Sequence, residues 1–497
     1  MWVQAVVLVL FIILFAVLVY DVIKPANYPP GPRWLPVVGN LLQVISLRKH
    51  LGFTHLVWCR LAEMFGSVVG LRLGRDLIVI VSGYELVKQV STREDFDGRP
   101  DGFFFRLRSF GERLGIAFVD DAFYHEQKRF VLRHLKLFGF GGSSMEQHIN
   151  EDTSQLIEWL QYQEGPVDIQ EIFDVSVVNS LWAMLAGRRF LLGDKRLKQL
   201  LSLLRESFRL LDMSGGLLNQ MPALRFLAPN LSGYNKIVHV IDSVNALLQE
   251  IIDEHKDTLK PGVVRDLVDA FLHEVNKQKK KPESSFTEKQ LMMLLMDMFM
   301  AGSETTSNTL AFAIFFLLKN PRVQEIAYRE LKSVIEPGKL PSLKDRSSLT
   351  YIEAIVMETQ RLGNVAPITP PHRAKRRTLL NGYCIPEDTT ILVNLFSVHM
   401  DPTYWKDPEV FKPERFIDKS GKIIQHDYFI PFGLGRRRCL GETLSKPSLF
   451  LFLASLLHCF KLTIPLGEKL PTAPAVDGAT LSPPQFKCQL VPRIGED

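Results

Sequence analysis

The chain opens on an unbroken apolar run. Residues 2–20, WVQAVVLVLFIILFAVLVY, carry no charge and one amide, Gln4. About 20 such residues suffice for a helix to cross a bilayer. No basic residue precedes the run and no A-x-A cleavage site follows it, so the pattern favours an uncleaved anchor over a cleaved signal. PANYPPGP, residues 25–32, then sets four prolines in eight positions, which suits a stiff extended spacer rather than helix or central strand. Residues 70–82, GLRLGRDLIVIVS, alternate or run apolar with β-branched side chains and predict paired strands. A helical period of apolar positions follows over 83–91, 146–162, 171–187, 195–212, 234–257, 264–279, 321–336 and 350–362. Short strand signals return at 376–394 around the turn Asn381-Gly382. The expected fold is mainly α with a minor β part. No glycine-proline linker divides the middle. The expected layout is an anchor over 1–22, a hinge over 23–34 and one catalytic domain over 35–497.

One predicted helix is unusually long. Thr287 with Gln290 forms a capping-box start, and the pattern runs to Lys319 before Asn320-Pro321 stops it. About 32 residues at 1.5 Å each give roughly 48 Å, enough to cross a domain. AGSETTS, residues 301–307, is expected to interrupt it. Gly302 costs about 1 kcal/mol against alanine in a helix, and hydroxyl side chains can bond the backbone and bend it. Asp297 and Glu304 split the apolar run, which argues against a membrane span. A small residue at a helix crossing is the alternative reading of Gly302.

Composition narrows the classes. The 497 residues are 46% hydrophobic and 23% charged, with a net charge of +5. That spread excess suits acidic protein or lipid contacts rather than a nucleic-acid domain. The five cysteines, Cys59, Cys384, Cys439, Cys459 and Cys488, are odd in number and far apart. They argue against a disulfide framework or a structural zinc site and fit a reduced compartment. Lys24, Arg33, Arg48 and Lys49 follow the apolar run, which places the bulk of the chain in the cytoplasm. The NLS sequon at Asn230 is then idle.

FGLGRRRCLG, residues 432–441, carries the chemistry. Gly433 and Gly435 permit tight turns, and residues 442–460 are helical in pattern with Pro447 in or near the first turns. Cys439 would lie on a loop before a helix, where amides, the helix dipole and arginines favour a thiolate. Such a thiolate is a nucleophile, a metal ligand or a redox centre. Nothing local supplies the histidine base that a cysteine hydrolase requires.

The stretch resembles the haem-binding signature of cytochrome P-450 enzymes, F-x-x-G-x-R-x-C-x-G. Phe432, Gly435, Arg437, Cys439 and Gly441 meet every fixed position. Glu358 and Arg361 meet E-x-x-R, residues 413–416 meet P-E-R-F, and residues 301–306 meet A-G-x-E-T-T, all in the family's order. With the anchor and the PPGP hinge, the chain is similar to a microsomal member throughout. The resemblance implies a P-450 fold with haem b between the long helix and the cysteine loop. It makes Cys439 the axial ligand of the haem iron, a thiolate that favours O–O cleavage. Gly433, Gly435 and Gly441 would let the loop approach the haem, and Phe432 would pack beside the sulfur. Arg437, Arg99 and His372 would hold the propionates. The family commonly has W-x-x-x-R on the helix near 124; this chain has Tyr124 and Lys128, so those contacts would change geometry. Glu358, Arg361 and Arg415 would form a buried structural network. Thr305 and Glu304 would deliver protons toward bound O2. Gly302 would leave room for oxygen and substrate.

Electrons would come from NADPH through an acidic flavoprotein, NADPH-cytochrome reductase, since no flavin or nicotinamide fingerprint is present. Lys128, Arg129, Arg133, Lys136, Arg436 and Arg438 would face it. The resemblance places the chain on the endoplasmic reticulum membrane. An apolar small-molecule pocket is expected from Phe103, Phe104, Phe105, residues 212–222, Ala301, Gly302 and Val365 to Pro371, with Pro367 among them. The stretches FDGRPDGFFFRLR and LLDMSGGLLNQMP resemble insect enzymes of the hormone-making branch, most of all the methyl farnesoate or farnesoate epoxidases of juvenile hormone synthesis. That implies a monooxygenase. An insect microsomal hydroxylase of another lipid, steroid or xenobiotic is the alternative. A reductase-independent haem-thiolate isomerase has no use for the Glu304-Thr305 pair.

Overall fold

A computed structural model describes residues 2–210, 216–281 and 283–493. Part of the expected pocket segment, residues 212–215, lies outside the described residues. Trp2–Asp21 is one helix with no buried residue, and among the described residues it alone is long and apolar enough to cross a membrane.

The long helix is Glu288–Lys319, 32 residues, started by Thr287 Oγ1 accepting from the Gln290 amide at 3.1 Å. The expected interruption at 301–307 does not occur. Thr305, Ser307 and Thr309 donate to the carbonyls of Ala301, Ser303 and Thr305 at 2.8–2.9 Å. These bonds lie four residues back, so the hydroxyls are satisfied without breaking the helical ladder. The helix is buried on nearly every side and packs against Asp174–Ala186, Tyr234–Thr258, Thr350–Gly363 and Glu442–Cys459.

The β part is small. A four-stranded sheet runs Val68–Leu73, Asp76–Ser82, Thr390–Asn394, His372–Arg373. Its only parallel pairing joins Asp76–Ser82 to Thr390–Asn394 across more than 300 residues. The hairpin Thr378–Leu380 and Tyr383–Ile385 turns at Asn381 and Gly382, with φ of 49° and 81°, the positive pair that a type I′ turn demands. The sequence pattern missed the helices Leu41–Leu51, Thr54–Phe65 and Phe103–Leu107. Pro447 sits inside Glu442–Cys459, in its second turn.

Candidate active site

The cysteine loop is set by two glycines. Gly433 and Gly435 adopt φ of 70° and 71°. A Cβ at Gly435 would overlap the Ser91 carbonyl, so no other residue fits. The loop folds back until the Cys439 amide donates to Phe432 O at 3.0 Å. The Cys439 side chain is accessible, and Gly441 follows as the cap of Glu442–Cys459.

Although the side chain keeps an accessible surface, the protein packed around it pushes the Cys439 thiol up, while the Gly441 and Glu442 amides and Arg438 pull the other way. Arg438 is itself engaged by Glu442. A bound metal ion would favour the thiolate here.

The loop is anchored from behind. The Ile430 amide donates to His399 Nε2 at 3.1 Å, and His399 Nδ1 faces Asn364 Oδ1 at 2.8 Å. An amide can donate only to an unprotonated nitrogen, so the His399 proton lies on Nδ1. Burial and Arg361 depress His399 to about 3, which keeps it neutral. The His399 carbonyl accepts from Arg361 Nη1 at 2.9 Å. Arg361 also forks onto Glu358 at 2.7 and 2.8 Å, and Arg415 Nε reaches Glu358 Oε1 at 3.0 Å. Glu358 and Arg361 are fully buried. The E-x-x-R pair thus supports the cysteine loop through His399, a residue the sequence reading overlooked.

Three basic side chains gather beside the loop. Arg99 is buried and donates to Ala117 O, Pro370 O and Pro371 O at 2.8–3.1 Å. Arg437 donates to Asp97 O and Val119 O at 2.7–3.0 Å and lies 3.7 Å over the Tyr124 ring. His372 Nδ1 faces Phe96 O at 2.8 Å. Burial and the neighbouring Arg437 lower Arg99 to about 9, and burial with both arginines lowers His372 to about 3. Among the described residues neither arginine makes an ion pair. A buried cation held only by carbonyls, as Arg99 is, is costly unless an anion joins it, and this set fits the two carboxylates of a haem. Tyr124 and Lys128 reach the Arg436 carbonyl, at 3.5 and 2.9 Å.

The long helix passes the same region. Thr306 Oγ1 and Ser445 Oγ lie 3.2 Å apart, tying the AGSETTS turn to the helix after Cys439. Ala301 is exposed and Met298, Met300, Gly302 and Thr305 are half-buried, on a helix whose middle is otherwise buried. Gly302 does not open space: its Cβ would meet Leu181 Cδ2 at 2.6 Å. It lets Asp174–Ala186 pack close, so the crossing alternative replaces the room expected there. Glu304 points elsewhere than Thr305. It is buried, paired with Arg209, and accepts from Asn308 Nδ2 at 3.1 Å, while its Oε2 has no hydrogen-bond partner. Burial raises its pKa, against Arg209.

Phe103 and Phe104 pack on Leu218, Ile237 and Ala479. The Val365 carbonyl accepts from the Leu481 amide at 2.8 Å, and Pro367 O from Phe396 at 3.0 Å. Segment 476–482 therefore joins the long helix, residues 103–104 and residue 365, although its sequence carries no motif. Arg129, Arg133 and Lys136 are exposed at i, i+4 and i+7 on Asp121–Leu137. Arg436 is partly engaged by Glu94 and Asp97.

A cytochrome P450 family model matches residues 29–490. The chain is 41% identical to a Bombyx mori protein named farnesoate epoxidase over 488 residues, 98% of each chain. It is 40% identical to the probable cytochrome P450 305a1 of Drosophila melanogaster over 97% of this chain and 98% of the relative. Identity to the cytochrome P450 2J5 of Mus musculus is 34%, over 95% and 92%.

Proposed function

This chain belongs to the cytochrome P450 family and is a monooxygenase, and from that premise we propose that it epoxidises a sesquiterpenoid, methyl farnesoate or farnesoic acid. The observation that carries the substrate reading is the 41% identity across nearly the whole of the Bombyx mori farnesoate epoxidase. Phe103, Phe104, Val365 and Ala301 would give an apolar wall suited to an isoprenoid chain.

Bound haem b would supply the activation of O2. Cys439 would be its iron ligand, and Arg99, Arg437 and His372 would take the propionates, relieving the like-charge repulsion between the two arginines. Tyr124 and Lys128 would brace the loop at Arg436 rather than contact the propionates. Gly433, Gly435 and Gly441 would permit its approach, with Phe432 beside the sulfur. Thr305 would position a proton donor on the helix face toward the haem. Glu304 would pass protons only after its carboxylate leaves Arg209, and the burial that raises its pKa favours its holding one. Arg129, Arg133 and Lys136 would dock an acidic reductase that passes on electrons from NADPH. The anchor would hold the enzyme on the endoplasmic reticulum.

Aerobic turnover with microsomal reductase and NADPH, offering both sesquiterpenoids, tests this by mass spectrometry. The expected product is one oxygen heavier and disappears when NADPH is withheld. No product, from enzyme whose reduced carbon monoxide complex retains thiolate ligation, would overturn the sesquiterpenoid reading and leave another apolar lipid as substrate.

A further inference from the structure

Tyr84, Tyr428 and Tyr404 form a continuous stack. The Tyr404 and Tyr428 rings lie 3.9 Å apart and 4° from parallel, and Tyr428 lies 4.5 Å from Tyr84 at 20°. Tyr404 is 40% exposed, and the other two are half-buried. Among the described residues, only Tyr404 of the three has a base at its hydroxyl: its Oη lies 2.9 Å from His426 Nδ1. His426 Nε2 lies 3.0 Å from the Arg415 carbonyl, which can only accept. The neutral imidazole therefore carries its proton on Nε2, and Nδ1 accepts from the phenol. The protein packed around Tyr404, and then Asp427, raise its pKa and keep it a phenol.

Aromatic contacts join this pair to the cysteine loop. Tyr404 meets Trp405 at 4.9 Å, and Trp405 meets Phe416 at 5.7 Å. Phe416 meets Phe429 at 5.1 Å. Trp405 and Phe416 are buried. Phe429 precedes Ile430, whose amide is held by His399, and Phe432 opens the loop two residues later. Rings in contact carry electrons better than saturated side chains do. The short phenol–imidazole distance lets proton and electron leave together, which avoids a protonated phenol cation.

We propose that Tyr404 and His426 form a one-electron relay that quenches oxidised haem when no substrate carbon is in reach. Tyr404 gives one electron to the haem along the aromatic path. Its O–H bond breaks and an N–H bond forms at His426 Nδ1. The products are a neutral tyrosyl radical, an imidazolium and a haem reduced by one electron. Tyr428 shares the positive charge that develops on Tyr404 before the proton has left. Lys88, 5.5 Å over the Tyr84 ring, disfavours positive charge at that end of the stack. A one-electron reductant of the ascorbate class reaches the exposed Tyr404 ring and returns the electron, and His426 returns the proton. The inference rests on the haem and oxygen chemistry of the family and not on the sesquiterpenoid reading.

The test uses substrate-free, full-length holoenzyme whose reduced carbon monoxide complex shows thiolate ligation. The peracid m-chloroperbenzoic acid oxidises the haem without reductase or O2, and freeze-quenched samples are read by electron paramagnetic resonance. Wild type is expected to give a radical signal that narrows when its tyrosines carry ring deuterium. Tyr404→Phe keeps the stack and removes the hydroxyl. It should lose the signal and bleach its haem faster under the peracid, with product formation from substrate unchanged. His426→Gln removes the base and should lose the signal too, whereas Tyr84→Phe should keep it. No tyrosyl signal in wild type, or an undiminished one in Tyr404→Phe, overturns the relay. An undiminished signal in His426→Gln overturns the proton transfer. Failure of the epoxidase reading leaves every one of these signals in place, because the peracid needs no substrate.

Discussion

His399 joins the buried ion network to the cysteine loop, and its neutrality is a condition of that link. Protonation would put a hydrogen on Nε2, where the Ile430 amide already donates, and would add a charge beside Arg361. Its folded pKa of about 3 lies below the ordinary histidine value of 6.5. The unfolded chain therefore binds the extra proton first as pH falls. The stability held by neutral His399 is complete above about pH 6.5 and is lost progressively from there toward pH 3. One proton corresponds to about 1.4 kcal/mol per pH unit. Denaturant unfolding of wild type and His399→Gln between pH 7 and pH 5 checks this. The variant should be less stable at pH 7, and the gap should close by about 1.4 kcal/mol per unit below pH 6.5. Parallel curves would show that His399 is not the titrating link.

Among the elements, the long helix shows what the sequence reveals and what it hides. Its start, stop and length were legible because Thr287, Gln290 and Asn320-Pro321 act locally. The cysteine loop was legible for the same reason: its glycines, arginine and cysteine lie within ten residues. What the AGSETTS turn does was not legible. Gly302 takes its meaning from Leu181, and Glu304 from Arg209, 95 residues earlier. The buried partners Arg108 and Asp297 are 189 residues apart, and His399 meets Arg361 and Ile430 only in the folded chain. The short helices Leu41–Leu51 and Thr54–Phe65 lack strong caps, neither having a side-chain N-cap bond. The packing reading of Gly302 makes a prediction at this scale. Gly302→Ala gains about 1 kcal/mol of helix propensity. It should gain less than that, because its Cβ at 2.6 Å forces the Leu181 methyl aside. Adding Leu181→Ala should cost less in the Gly302→Ala background than alone, seen as positive coupling in thermal unfolding of the four variants. Additive effects would return Gly302 to the role of leaving room for substrate.

Across the whole molecule, the junction between anchor and globular part is a fixed contact rather than a loose tether. The anchor buries nothing against the rest of the chain, so its own contribution to the fold is small. Its last residue is different. Asp21 forks onto Arg72 at 2.7 and 2.9 Å and accepts from the Val37 amide at 2.6 Å. Arg72 belongs to the first strand, is 7% exposed, and also lies 5.2 Å over the Trp34 ring. The proline spacer thus leaves the helix end and returns to it, which sets the direction of the anchor relative to the sheet. Removing residues 2–20 while keeping Asp21 should release the protein from membranes and leave its melting temperature unchanged. Asp21→Asn in the full chain should keep it on membranes but strip a mostly buried arginine of its partner. Loss of one partner of a buried pair costs about 3–5 kcal/mol. Asp21 is itself one-third exposed, so solvent reduces this to about 1–2 kcal/mol. Membrane flotation and thermal unfolding, run on both variants, separate the two roles. If Asp21→Asn melts with wild type, the junction is only a tether, and the orientation of the pocket toward the bilayer must be set elsewhere.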